Sequence, residues 1–116
     1  MVNAINLVGH MGMDPETKFL DNGSKLANFS LATTENYKTR EGEKKSRTTW
    51  HKITAFGPVA EIVERFTSKG ALVYVHGKIR NRSYTNREGQ EKTITEVVAD
   101  KVVLLINPKD ATYSDL

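Results

Sequence analysis

Trp50 is the single tryptophan of the 116-residue chain, and the residues around it alternate in a way that bears on chemistry. Side chains of a strand point to opposite faces in turn. In residues 48–56 this rule puts Trp50, Lys52 and Phe56 on one face, while Ile53 and Ala55 mark the other as the core side. In residues 78–84 it groups Lys78, Arg80, Arg82 and Tyr84. An open face that interleaves aromatic rings with cations suits single-stranded nucleic acid. Unstacked bases gain about 1–3 kcal/mol each on an aromatic ring, whatever the base. Phosphates are neutralised by Lys and Arg, and log affinity then falls by roughly 0.7 per contact for each log unit of salt. Duplex bases are already stacked and would leave such rings unused. The same side chains also fit quieter roles: Trp50 and Phe56 in a subunit contact, Tyr84 beside Thr93 or Thr95 across a hairpin. Tyr37 follows the run 26–34, where a single bulge would flip its face, so parity leaves it open.

Other chemistries find little footing. His10, His51 and His76 are far apart, cysteine is absent, and no ligand spacing points to a metal. His51 shares its parity with Ile53, which reads as a buried or interfacial histidine. No nucleophile elbow, phosphate-cradling P-loop or dinucleotide fingerprint occurs. Glu61 and Glu64 suit the dipole near a helix start without any catalytic task. The expectation is a binding protein, not an enzyme, with no cofactor.

The positive charge is concentrated. Residues 38–47 hold five basic side chains (Lys38, Arg40, Lys44, Lys45, Arg47) against Glu41 and Glu43. Residues 78–92 hold five more (Lys78, Arg80, Arg82, Arg87, Lys92) against Glu88 and Glu91. Each segment carries +3, so a chain of net +3 is mildly acidic elsewhere. At this length one domain with one modest core is expected. The longest apolar run, residues 102–106, is far short of the roughly 20 residues of a membrane helix. No basic region precedes an apolar run at the N-terminus, and the lack of cysteine fits a reducing compartment. A soluble, cytoplasmic domain is the expectation.

These side chains need strands to hold them. Residues 5–11 read as a strand ending near Asp14-Pro15, and Asn22-Gly23 as a turn before the alternating run 26–34. Residues 39–42 and 86–89 are polar turns, each ending in glycine and lying within a basic segment. Strands are predicted over 48–56, 93–99 and 101–106, the last stopped by Asn107-Pro108. Only Val59, Ile62, Val63 and Phe66 show helical spacing, with Pro58 at the first position, Gly70 as C-cap and Glu61 facing Arg65. Five or so strands, a helix after the third and two long basic hairpins match an all-β, five-stranded oligonucleotide-binding (OB) Greek-key barrel, its helix between strands 3 and 4.

The run Val8-Gly9-His10-Met11-Gly12-Met13-Asp14-Pro15-Glu16 resembles the opening strand of bacterial single-stranded DNA-binding proteins. Ala27-Asn28-Phe29-Ser30-Leu31-Ala32-Thr33, Trp50-His51-Lys52, Phe56-Gly57, Lys69-Gly70, Val73-Tyr74-Val75, Gly77 and Thr95-Glu96-Val97-Val98 continue the likeness in order, from about residue 2 to 106. The resemblance implies an OB barrel assembled as a homotetramer that binds and protects single-stranded DNA during replication, recombination and repair. It places the base-stacking positions at Trp50, Phe56, Tyr84 and Tyr37, and backbone contacts at Lys38, Arg40, Lys52, Lys69, Arg80 and Arg82. His51 matches a position used in subunit association. Tyr replaces the frequent Trp at 37 and 84, Pro58 stands where Lys is common, and Asn6 interrupts an apolar strand.

The expected domain covers residues 1–107. Residues 108–116 read as a short flexible tail that lacks the acidic tip through which relatives recruit replication and repair enzymes, so that recruitment is not carried over. Two other readings keep the fold: an accessory OB protein acting through protein contacts, and an RNA binder, since stacking and phosphate contacts do not read the 2′-hydroxyl.

Overall fold

The computed structural model describes residues 1–109. Apolar alternation in the chain's first half produces β1 (Ile5–Met11), β3 (Lys25–Lys38) and β4 (Lys44–Phe56), with the short β2 (Glu16–Phe19) between the first two. The helix α1 (Pro58–Phe66) leads to β5 (Leu72–Thr85) and β6 (Glu91–Ile106). Neighbours run β1-β5-β6-β4-β3-β2, and β1 also pairs with β3 at His10↔Ala32 and Met11↔Leu31. That second pairing closes β1, β3, β4, β6 and β5 into a barrel. β4 and β6 run parallel, at Ile53↔Val97 and Thr54↔Val98, and the other pairs are antiparallel. This is the OB barrel, and among its five strands the helix falls between the third and fourth.

Phe29, Leu31, Ile53, Val63, Val73 and Val75 are the largest fully buried side chains, filling the barrel and the junction with α1. Their burial follows parity: Phe29, Leu31, Ile53 and Ala55 point inward together. Two glycines let backbone approach backbone. A Cβ on Gly9 would lie 2.2 Å from the Ala32 carbonyl oxygen, and one on Gly77 would lie 2.2 Å from that of Val98. The three predicted turns form, with Gly23, Gly42 and Gly89 at φ of 86°, 83° and 79°.

Five expectations need correction. β2 had no apolar signal because all four residues are exposed; it pairs with β3 from Glu16↔Asn28 to Phe19↔Lys25, beside the stretch that β1 uses. Residues 93–99 and 101–106 are one strand, β6. His76 faces Lys101 and Gly77 faces Ala99, so Asp100 is an extra residue that bends the strand around the barrel without ending it. The helix buries Ala60 and Val63, with Val59 packed alongside, while Ile62 and Phe66 are exposed. A two-turn helix over a barrel end covers only a narrow stripe. Its last turn is closed by Thr67, whose Oγ1 and N–H both donate to the Val63 carbonyl, and Gly70 lies beyond in the turn to β5. Glu61 faces Lys25 of β3 at 3.4 Å instead of Arg65, whose guanidinium lies over the Phe66 ring. Residues 110–116, most of the expected tail, lie outside the described residues.

Because the atoms meeting a new Cβ at residues 9 and 77 are backbone, neither neighbour can swing aside. Gly9→Ala and Gly77→Ala should each lower stability by at least the roughly 1–3 kcal/mol typical of overpacking. Urea midpoints read this directly, and unchanged midpoints would contradict the close approach.

Candidate nucleic-acid interface

The β3–β4 ladder runs without a break from Leu26↔Phe56 to Lys38↔Lys44. It therefore sets Trp50 opposite Ala32, Lys52 opposite Ser30, Thr54 opposite Asn28 and Phe56 opposite Leu26 on one face. Trp50 is 60% exposed, which is unusual for so large an apolar ring. Small Ala32 and Ser30 let it lie across β3 onto Gly12, at the end of β1, whose N–H donates to the Ser30 carbonyl. A Cβ on Gly12 would stand 2.5 Å from Trp50 Cζ3 and 2.8 Å from Cη2. The ring is thus seated on a residue with no side chain.

Hollows flank this ridge. One of about 470 Å³ is bounded by Met13, Glu16, Asn28, Ser30, Trp50 and Lys52. A second, about 260 Å³, lies on the Ile79, Thr95 and Glu96 side of the same Trp50 and Lys52. A third, about 240 Å³, continues past Asn28 and Glu96 to Lys18, Phe56, Arg80 and Arg82. Shared residues make these hollows one track across β4 and the β5–β6 ribbon.

On that track the β5–β6 register sets Arg80 opposite Glu96, Arg82 opposite Ile94 and Tyr84 opposite Lys92. Glu96 is 2% exposed. Its Oε1 accepts from Arg80 Nη2 at 2.7 Å and Arg82 Nε at 3.3 Å, and its Oε2 accepts from Thr54 Oγ1 at 3.3 Å. The Arg80 guanidinium also lies 5.6 Å from the centre of the Phe56 ring. Burial pushes the Glu96 carboxyl up, yet hydrogen bonds and charge from Arg80 and Arg82 outweigh it and hold the group below the ordinary carboxylate range.

Trp50, Lys52, Phe56, Arg80 and Arg82 therefore come together, and Tyr84 extends their face toward the β5–β6 tip. Tyr37 does not join them on β4's face. With no bulge in β3, it falls on the parity opposite Trp50, facing Lys45, with Arg47 over its ring at 5.2 Å. Tyr37 and Lys38 instead border a recess of about 570 Å³ near the β3–β4 tip, and Arg40 sits in the turn beyond. Lys69 is apart from the track, in the turn after α1, where its backbone N–H donates to Asp14. His51 is half-buried, its Nε2 2.8 Å from Thr33 Oγ1. Three contributors were not singled out from the sequence as parts of the site: Gly12, Thr54 and Glu96. The register of Glu96 follows from a loop of 86–90, one residue longer than the turn read from the sequence: a hairpin centred on Glu88 pairs 80 with 96.

A closed five-stranded barrel with an open aromatic and cationic track has the architecture of an oligonucleotide-binding module. Residues 2–105 match the Single-strand binding protein family. The chain belongs to that family. It is 39% identical over 104 residues to the single-stranded DNA-binding proteins of Neisseria meningitidis serogroups A and B, covering 90% of this chain and 60% of theirs. The chain thus spans about three-fifths of the length of these curated relatives. A solved structure described as the Plasmodium falciparum SSB complex with ssDNA superposes with a TM-score of 0.85 at 34% identity, covering 91% of this chain and 97% of that one.

Gly12→Ala should move the Trp50 ring while costing less stability than Gly77→Ala, because the end of a side chain can give where backbone cannot. The expected readout is a shifted Trp50 emission maximum with a melting temperature near wild type. An unchanged emission would mean that Gly12 does not seat the ring. A second expectation concerns pH. A carboxyl lowered by folding stabilises the protein above its unfolded value of about 4.3, and that contribution is lost as pH falls through the folded value. Glu96→Gln should be less stable than wild type at pH 7, and urea titrations should show the gap narrowing below about pH 4. A gap independent of pH would contradict the assignment.

Proposed function

We propose that this protein binds and protects single-stranded DNA with little sequence preference, in support of replication, recombination and repair, and that it does so without catalysis. The observation that carries this reading is Trp50: a largely exposed indole held on Gly12, with Lys52 next along the same face of β4 and the Arg80–Arg82 pair beyond it, beside Phe56. Folding leaves an indole in water only at a cost, and a stacked base would cover it. Phe56 and Tyr84 extend the platform, and Tyr37 adds a ring on the β3–β4 arm. Lys38, Arg40, Lys52, Lys69, Arg80 and Arg82 supply phosphate contacts. Membership of the family, and the DNA complex of the similar structure, support this reading.

We also propose that the working unit is a homotetramer. Support comes from the outer face of β1, β5 and β6, where register aligns Val8, Tyr74 and Val103, and where Val8, Val103 and Leu105 are exposed. Contiguous exposed apolar residues of this kind mark association surfaces.

Titration with oligo(dT) at several salt concentrations, followed by Trp50 fluorescence, tests the first proposal. Strong quenching is expected, with log affinity falling by roughly 0.7 per neutralised phosphate for each log unit of salt. Trp50→Ala should weaken binding by about tenfold or more, the equivalent of one lost stack. Binding without quenching would remove the stacking role, and no binding at low salt would overturn the function. Sedimentation equilibrium on the same sample should give four times the 13.0 kDa chain mass; a monomer would overturn the assembly.

A further inference from the structure

Glu96 is the only charged residue among the buried side chains of the described residues, and it sits beneath the most cationic part of the track. A carboxylate there is at first sight a liability, since phosphates must approach from directly outside. The geometry gives it a different meaning. One oxygen, Oε1, receives both Arg80 Nη2 and Arg82 Nε, so two guanidiniums are gathered onto a single atom. The other oxygen is fixed by Thr54, whose hydroxyl also lies 3.1 Å from Asn28 Oδ1. The carboxylate is thereby anchored to β4 as well as to the two arginines of β5.

Two guanidiniums held this close repel each other unless an anion lies between them. Without Glu96, each would swing outward to separate, and both are long enough to do so. Arg80 also bears the mark of external placement: its Nε is buried with no hydrogen-bond partner. A side chain that leaves a buried donor unsatisfied is not resting where its own hydrogen bonding is best. It is held by Glu96 on one side and the Phe56 ring on the other. The side chains of both arginines are nevertheless partly exposed.

We infer that Glu96 is a positioning residue for DNA binding, which holds Arg80 and Arg82 as a preassembled two-guanidinium seat for a backbone phosphate beside Phe56. The inference rests on the proposed single-strand reading. Guanidinium forks suit phosphate oxygens, and a fork already in place loses less side-chain freedom when the phosphate arrives. The carboxylate neutralises one of the two charges, so the seat works by geometry more than by net charge.

Charge and geometry at Glu96 therefore predict opposite effects of its removal. Glu96→Gln makes the chain one unit more positive. Were Glu96 a bystander, or a competitor for the arginines, oligo(dT) would bind more tightly to the variant. A positioning role demands the reverse: weaker binding by about tenfold, the scale of one lost charge-assisted hydrogen bond. The Trp50 quench at saturation should stay at the wild-type value, since the Trp50 platform is separate. Arg82→Lys keeps the charge but removes the Nε donor. It should also bind more weakly, and the double variant should lose less than the two single losses combined.

All titrations are run well below the melting temperature of each variant, so that a stability loss alone does not register. Tighter or equal binding by Glu96→Gln, or fully additive losses, would overturn the inference while leaving the single-strand reading intact. If Glu96→Gln does not fold, Arg82→Lys decides alone: weaker binding supports the seat and unchanged binding overturns it. Failure of the wild-type chain to bind oligo(dT) would instead remove the function, and this inference with it.

Discussion

The barrel depends on closure between β1 and β3, made by two residue pairs where backbone must pass close to backbone. Gly9 faces the Ala32 carbonyl at a distance no side chain could tolerate, and Gly77 does the same against Val98 where β5 follows β6. With these approaches in place, the strands coil enough for β4 and β6 to meet in parallel at Ile53–Val97 and Thr54–Val98. That contact matters most for the surface. It brings the outer face of β4, with Lys52 and Phe56, against the ribbon that carries Arg80 and Arg82.

The electrostatics follow from the same meeting. Excess positive charge lies in two hairpins far apart in sequence, and an unscreened cluster of guanidiniums would oppose folding. Glu96 lies where the ribbons meet, and its ion pairs with Arg80 and Arg82 join charge balance to shape. Lys25, Glu61 and Glu64 tie α1 to β3 through a separate set of exposed ion pairs. The helix then presents Ile62 and Phe66 to solvent, so its amphipathic stripe and its buried stripe differ by part of a turn. A short helix resting on curved strands buries only the residues directly beneath its axis, and periodicity alone does not say which those are.

Much of the strand plan was legible in the residues. Asn22-Gly23, Gly42 and Gly89 marked their turns because each needs a positive φ that glycine supplies cheaply. Alternation marked the buried faces of β3 and β4. β2 was invisible because a strand exposed on both faces has no apolar period to read. The joining of 93–99 with 101–106 was hidden as well, since Asp100 looks like a strand end unless the partner strand is known to accept an extra residue.

For the site, local parity sufficed to group Trp50 with Lys52 and Phe56, and Arg80 with Arg82 and Tyr84, because side-chain alternation is a property of each strand by itself. Family likeness named Tyr37 and Lys69, but alternation could not say where they stand relative to Trp50. Tyr37 required the unbroken β3–β4 register to assign its face, and Lys69 required the path of the chain after α1. The seat under Trp50 and the carboxylate between the arginines belong wholly to tertiary structure. Gly12 meets Trp50 across an intervening strand, and Glu96 meets Thr54 across the β4–β6 junction. The sequence alone thus determined which residues share a strand face, since that depends on backbone geometry over a few residues. Which faces meet was decided only by barrel closure, since that depends on close approaches between residues tens of positions apart.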